Sequence, residues 1–458
     1  MFERKQRWGM AVNTPLIGRL GKPVAWSSVL LLCCFHSLAR GEVRYALEVG
    51  GGRSDNITRV EQNEVAETIA TAGIELAWSE QTQRIDGLAA VDLTYMHYVD
   101  DTYDAELLGT ADGVVVFGIV PERFTWTLQD SFGQAQSDPF APSTPETREN
   151  VNYLTTGPDL IVRFGRTSFA RLFGRYSLTS YEESPLDADR LAGGVSFGWR
   201  PSARSEFALN AITERNEFQD LVGLNDYDRQ YAFFSYGLEG ARTEIVSEIG
   251  YTWIDHEDGR SNGGPLARIF VDRRLSPSTT LELTVGTQIT DAGEVLQSTL
   301  EQGPVGGVTG ITATEDPFEN RYGTIEWNFS RNRTGLSIGF GWSEDRYERQ
   351  TTFDRTRYVY DASMSRHLTP FLSAALFGTL TDEQFDTTGL EAEELRAGFS
   401  VLWAAGRRFG LNLIVERYDR ETSNGVGQFV ETRGFLTITY SPRGRVGEVR
   451  TRPLRNTI

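Results

Sequence analysis

Cysteine is nearly absent from the 458 residues: Cys33 and Cys34 sit side by side in a short apolar run near the start, and no other thiol follows. Lysine is as scarce, confined to Lys5 and Lys22. Nowhere does the chain offer the run of about eighteen apolar residues that a membrane-crossing helix needs, so a helical membrane protein is excluded. What the first 41 residues do offer is a secretory signal. Arg4, Lys5, Arg7, Arg19 and Lys22 form a basic front, Val29 to Phe35 an apolar core, and Ser37-Leu38-Ala39 small residues for cleavage. A lipoprotein reading of Cys33 fails because Leu32 stands where a small residue is required.

Cleavage there would leave a chain without cysteine or lysine. Disulfide scaffolds, structural zinc–thiolate sites and thiol chemistry are then excluded, and arginine is the sole permanent cation. The formal charge of −18 becomes more negative: 39 arginines remain against 62 acidic residues, a net −23. That balance makes nucleic acid a poor partner.

From residue 43 to 440 the side chains alternate apolar and polar in runs of about ten, as a strand with two unlike faces requires. Leu281, Leu283, Val285 and Ile289 oppose Glu282, Thr284, Gly286 and Gln288; Leu336, Ile338, Phe340 and Trp342 oppose Ser337, Gly339, Gly341 and Ser343. Helical spacing is nowhere sustained. The polar face is rich in Gly, Ser, Thr and Asn, with scattered Arg and Glu, which suits a water-filled lumen better than bulk solvent. Aromatics such as Trp199, Trp342, Trp403 and Tyr440 fall toward strand ends, where interface girdles belong. The spacing predicts an all-β fold: a transmembrane antiparallel up-and-down β-barrel over 42–440, of about twenty strands (roughly 16 to 20), with short periplasmic turns and long outer loops. Residues 441–458, basic and holding Pro453, read as a disordered periplasmic tail. The longest loop, Asp291 to Asn320, reads as a mobile surface loop; an inward-folded constriction is the alternative.

Several short blocks resemble a known family. They are Ser54-Asp55-Asn56-Ile57, Phe124 to Asp130, Asn152-Tyr153-Leu154-Thr155-Thr156-Gly157-Pro158-Asp159-Leu160, Gly174-Arg175-Tyr176-Ser177 and Ser180-Tyr181-Glu182. They are similar to β-barrel porins of Gram-negative bacteria, including those associated with exopolysaccharide export and exosortase (PEP-CTERM) systems. The resemblance implies outer-membrane location after Sec-type export, contact with lipid and lipopolysaccharide, and a role in moving or anchoring secreted polysaccharide alongside periplasmic export components. It implies no cofactor and no catalytic residue.

Two matches to G-x-S-x-G occur, Gly194 to Gly198 and Gly335 to Gly339, but both lie inside alternating strands rather than at the strand–turn–helix elbow a hydrolase needs. Beyond the signal the histidines are His97, His256 and His367, none placed obviously beside either serine, so an acyl hydrolase is an outside alternative and the chain reads as a non-enzyme. Acidic outer loops hold Asp100, Asp101 and Asp104, Glu182, Glu183 and Asp187, and Asp255, Glu257 and Asp258, without calcium-loop spacing. They read as solvated charge, and no metal is expected. The candidate functional residues are charges phased to the lumen: Asp159, Arg163, Arg171 and Arg175 on adjacent strands, with Glu244, Glu248, Arg268 and Asp272 on another wall. Such groups set a transverse field for polar solutes, or pair across strands and stiffen the wall.

Overall fold

The computed structural model describes residues 41–219, 226–302 and 310–442, with side chains throughout except at 298–302. Most of the signal reading and of the C-terminal tail lies outside these residues.

Each alternating run becomes one strand. In order they are β1 (Glu42–Ser54), β2 (Glu67–Gln81), β3 (Ile85–Tyr98), β4 (Glu106–Val120), β5 (Phe124–Gln136), β6 (Arg148–Phe164), β7 (Ser168–Tyr181), β8 (Ala188–Ser202), β9 (Ser205–Phe218) and β10 (Tyr227–Glu239). There follow β11 (Thr243–His256), β12 (Ser261–Ser276), β13 (Thr279–Thr290), β14 (Phe318–Arg331), β15 (Thr334–Tyr347), β16 (Arg355–Thr369), β17 (Leu372–Phe385), β18 (Leu390–Ala405), β19 (Phe409–Thr422) and β20 (Phe429–Tyr440). Every strand pairs antiparallel with its neighbours in sequence, and β20 returns to β1 from Leu47↔Tyr440 to Ser54↔Arg433. The sheet therefore closes into a twenty-stranded barrel, in which the start of β1, Glu42–Ala46, lacks a β20 partner.

The strands run longer than the hydrophobic pattern indicates. The connection between β11 and β12 holds only 257–260, because polar residues at a strand end ladder as well as apolar ones. One set of connections holds only two or three residues, such as 203–204 and 332–333; the other runs up to the 291–317 segment. The tight turns demand left-handed backbone: Asn332 has φ 55° and Gly406 φ 91°. Register shifts also gather at this end, between Gly118 and Val120, Trp199 and Ser202, Arg274 and Ser276, and His367 and Thr369.

The two faces differ as the alternation dictates. Leu191, Leu209, Ile249 and Leu376 are all more than 60% exposed on the outer face, whereas Asp159, Ser196, Asn210 and Glu416 are buried on the inner one. In a water-soluble protein each such apolar side chain would forfeit about 1.5–3 kcal/mol by staying in solvent. The segment 291–317 departs from expectation. Its described part contains a helix, α1 (Ala292–Gln302), whose first turns pack inward. Leu296 is completely buried among Ala135, Val151, Tyr153, Tyr181 and Ile311. The reading as a mobile surface loop, and the claim that helical spacing is nowhere sustained, are both corrected by this packing.

Candidate functional site

Asp291 ends β13 and caps α1: the Glu294 backbone N–H donates to Asp291 Oδ1 at 3.2 Å. With Glu294 three residues on, followed by Val295 and Leu296, the segment carries a capping-box pattern that the sequence reading passed over. The cap places Glu294 among buried charges from the barrel wall. Arg190 on β8 binds Asp291 and, at 2.8 Å, Glu294. Arg229 on β10 binds Glu294 and, at 2.5 Å, Glu214 on β9. Tyr227 donates to Asp291 at 3.3 Å, Tyr231 to Glu214 at 2.5 Å and Thr290 to Glu294 at 3.0 Å. Burial works to raise the Glu294 carboxyl, but Arg229 and Arg190 beside it, with hydrogen bonds from Arg229 and Thr290, hold it at about 2. The helix is thereby latched into the end of the barrel that carries the long loops.

A second loop crosses the same end. The β5–β6 connection, 137–147, reaches the far side of the barrel, where Arg59 donates to the Ser143 carbonyl at 2.6 Å and Arg420 to the Phe140 carbonyl at 3.0 Å. The Phe140 ring packs on Phe385 at 4.8 Å and on Phe353 at 5.9 Å. The two loops are stitched together, Gln136 N–H to Ile311 O at 2.8 Å and Ala313 N–H to Gln136 O at 2.9 Å. His256 adds another link, its Nε2 2.6 Å from Glu348 on the neighbouring β15–β16 loop.

Deeper in, the eight charges singled out from sequence fall into separate groups. Asp159 lies between two cations, Arg171 at 2.6 Å and Arg175 at 2.7 Å, and both guanidiniums flank the Phe173 ring. Arg163 is not with them. It sits at the rim and pairs with Glu122 in the β4–β5 turn at 2.5 Å; that hydrogen bond and charge lower the exposed Glu122 carboxyl. On the other wall Glu248 and Arg268 are register partners joined at 2.5 Å. Glu244 and Asp272 face one another in register, nearer the short turns, and the row continues through Glu282 and Glu326.

The sequence reading missed the group on β18–β20. Glu416, almost fully buried, accepts Arg396 at 2.8 Å through one oxygen and Arg433 at 2.6 Å through the other. Arg433 also receives help from Tyr418, whose hydroxyl accepts its Nη2 at 2.7 Å. Arg396, Glu416 and Arg433, with Glu48, Asp361, Phe377 and Phe435, line a cavity of about 550 Å³. Only the strand phase of Arg396, Glu416 and Arg433 signalled this group, and nothing in the spacing tells which inward charges will meet.

The serine motifs have a structural role. A Cβ at Gly194 would collide with the Phe173 ring and one at Gly198 with the Phe169 ring, so these glycines make room for aromatics. Ser337 donates to Glu326 at 3.1 Å. Neither motif serine hydrogen-bonds a histidine; His367 instead meets Ser373 at 2.7 Å on the exposed short-turn rim. The acidic loops are locally engaged, Asp258 with Arg260, Glu257 with Arg215, and Asp187 with the Tyr181 N–H.

No family model matches the chain, and no curated protein matches it. Among solved structures, it is similar to the FrpB iron transporter from Neisseria meningitidis (F3-3 variant), with 10% identity over 90% of this chain and 83% of that one, TM-score 0.40. It is also similar to the siderophore receptor PirA from Acinetobacter baumannii, with 9% identity over 88% and 81%, TM-score 0.44, and to OccK2 (OpdF) of Pseudomonas aeruginosa, with 11% over 88% and 99%, TM-score 0.36. The barrel assignment itself rests on the strand pairing of this chain.

Proposed function

We propose that the chain is a porin-like barrel of the Gram-negative outer membrane, delivered by Sec-type export, that conducts a polar solute or a secreted polysaccharide. One observation carries this reading: a closed sheet with exposed apolar side chains outside and paired charges beside an internal cavity. A closed barrel is the one strand architecture whose backbone polar groups are all satisfied in lipid. Charges arranged in unlike groups, two arginines on one carboxylate at Asp159 and Glu416 against an acidic row through Glu244 and Asp272, give an uneven field suited to orienting polar solutes. The polysaccharide role is supported by the sequence resemblance and extends to periplasmic export components as partners. The reading includes no catalysis.

The second reading is a closed barrel that scaffolds a surface or periplasmic polysaccharide assembly. It is favoured by the two loops that meet across the outer mouth. Planar-bilayer recording of the refolded, heat-modifiable protein separates the two. Unitary currents that grow when 293–316 is deleted support the conduit; silence from both the intact and the deleted barrel supports the scaffold. Loss of surface glycan on gene deletion tests the polysaccharide role.

A further inference from the structure

The arginines are distributed unequally along the barrel axis. Toward the long loops most are spent on carboxylates, such as Arg148 on Glu106, Arg349 on Asp316, Arg355 on Asp345 and Arg346 on Glu344, with Arg53 and Arg420 as exceptions. Around the short turns the pattern reverses. Seven of the nine short connections contain an arginine, from Arg84 round to Arg408, and the other two have one within four residues. Apart from Arg163 and Arg200, which take Glu122 and Glu206, the arginines of this collar are exposed and form no ion pair among the described residues. In a chain of net charge −18, so many cations left free on one rim is a placed feature.

A pocket of the collar opens on the outward face. Arg331, Thr334 and Arg366 stand in one register row across β14, β15 and β16. The row above it is Phe329, Leu336 and Met364, with Trp327 stacked on Phe329 at 9° between ring planes. Phe329, Arg331, Asn332, Arg333, Thr334 and Arg366 line an open depression of about 620 Å³. Apolar side chains thus give way, within one pair of residues, to three guanidiniums, two hydroxyl- or amide-bearing side chains and no carboxylate. That is the sequence of environments along a phospholipid from acyl chain to phosphate. Guanidinium forks match phosphate oxygens, and long arginine side chains reach from an apolar wall to a polar interface.

We infer that this pocket, and the collar around it, binds the phosphodiester headgroups of anionic phospholipid in the periplasmic leaflet, which holds the barrel at a set depth and orientation. The inference rests on the membrane reading above. Each guanidinium at an anionic surface is worth about fivefold in affinity, so losing two should cost about 25-fold.

The test uses the full processed chain, folded in zwitterionic detergent and examined by native mass spectrometry and thermal unfolding during lipid titration. Phosphatidylglycerol is expected to remain bound and raise the unfolding temperature, an effect that weakens with salt, while phosphatidylcholine does neither. Arg331→Gln with Arg366→Gln should lower phosphatidylglycerol retention about 25-fold, whereas Arg417→Gln near the outer rim leaves it unchanged. Equal retention of both lipids, indifference to the double substitution, or complete displacement by inorganic phosphate would each overturn the inference. A folded barrel without lipid preference sinks this site alone; a chain that folds and stays dissolved without detergent sinks the membrane reading itself.

Discussion

Glutamine at position 294 would keep the shape of the constriction helix and remove the charge that Arg190 and Arg229 share. Breaking a buried pair in this way costs about 3–5 kcal/mol, so Glu294→Gln should expose 291–317 to proteolysis and raise single-channel conductance. Acid should do the same. A carboxyl held at about 2 against an ordinary 4.5 stabilises the folded loop fully above pH about 4.5, and that contribution is lost as pH falls through about 2. Loop release is therefore expected between those values and not near neutrality, measurable as a conductance rise across that window. Asp159→Asn acts differently: Arg171 and Arg175 lose their common counterion, at a cost again of about 3–5 kcal/mol. Chemical denaturation should report the loss, and the reversal potential in a salt gradient should move toward anion preference.

At the scale of elements, Leu296 is the fully buried apolar side chain of α1. Leu296→Ala should cost about 2–5 kcal/mol of local stability, read as faster amide exchange in 291–302 with the strands unaffected. This helix also marks where sequence stops being sufficient. The strands were legible because a face that must be apolar and a face that must be polar alternate at every step, as Leu281 to Gln288 do, and because tight turns such as Asn332-Arg333 punctuate them. Their ends were read short, since polar end residues carry no face signal. For α1 the pattern Asp291-x-x-Glu294 before Val295-Leu296 announced a capped helix, but one short turn pattern says nothing about which wall will receive Leu296. The site shows the same limit. Strand phase predicts that Asp159, Arg171 and Arg175 point one way, and register, invisible in sequence, brings them within reach of one another. Register likewise sends Arg163 to Glu122 and assembles Arg396, Glu416 and Arg433.

At the scale of the whole molecule, the barrel reverses the usual arrangement of a folded chain, with apolar residues outward and charge enclosed. Two long loops are hydrogen-bonded to one another at one end, the wall charges are grouped rather than scattered, and the opposite rim carries exposed arginine. These three features give the molecule an axis and a direction. The most direct measurement compares two labelled positions on one strand. Leu376 is 61% exposed on the outer face of β17, and Thr379, on the opposite face, lines the cavity. In a chain with Cys33 and Cys34 replaced by serine, Leu376→Cys and Thr379→Cys can each carry one fluorophore in vesicles. Nitroxide on the lipid acyl chains should quench the probe at 376 and spare that at 379, while a small water-soluble quencher reaches 379 alone. Quenching of both positions from water, or of 379 rather than 376 from lipid, would contradict the account.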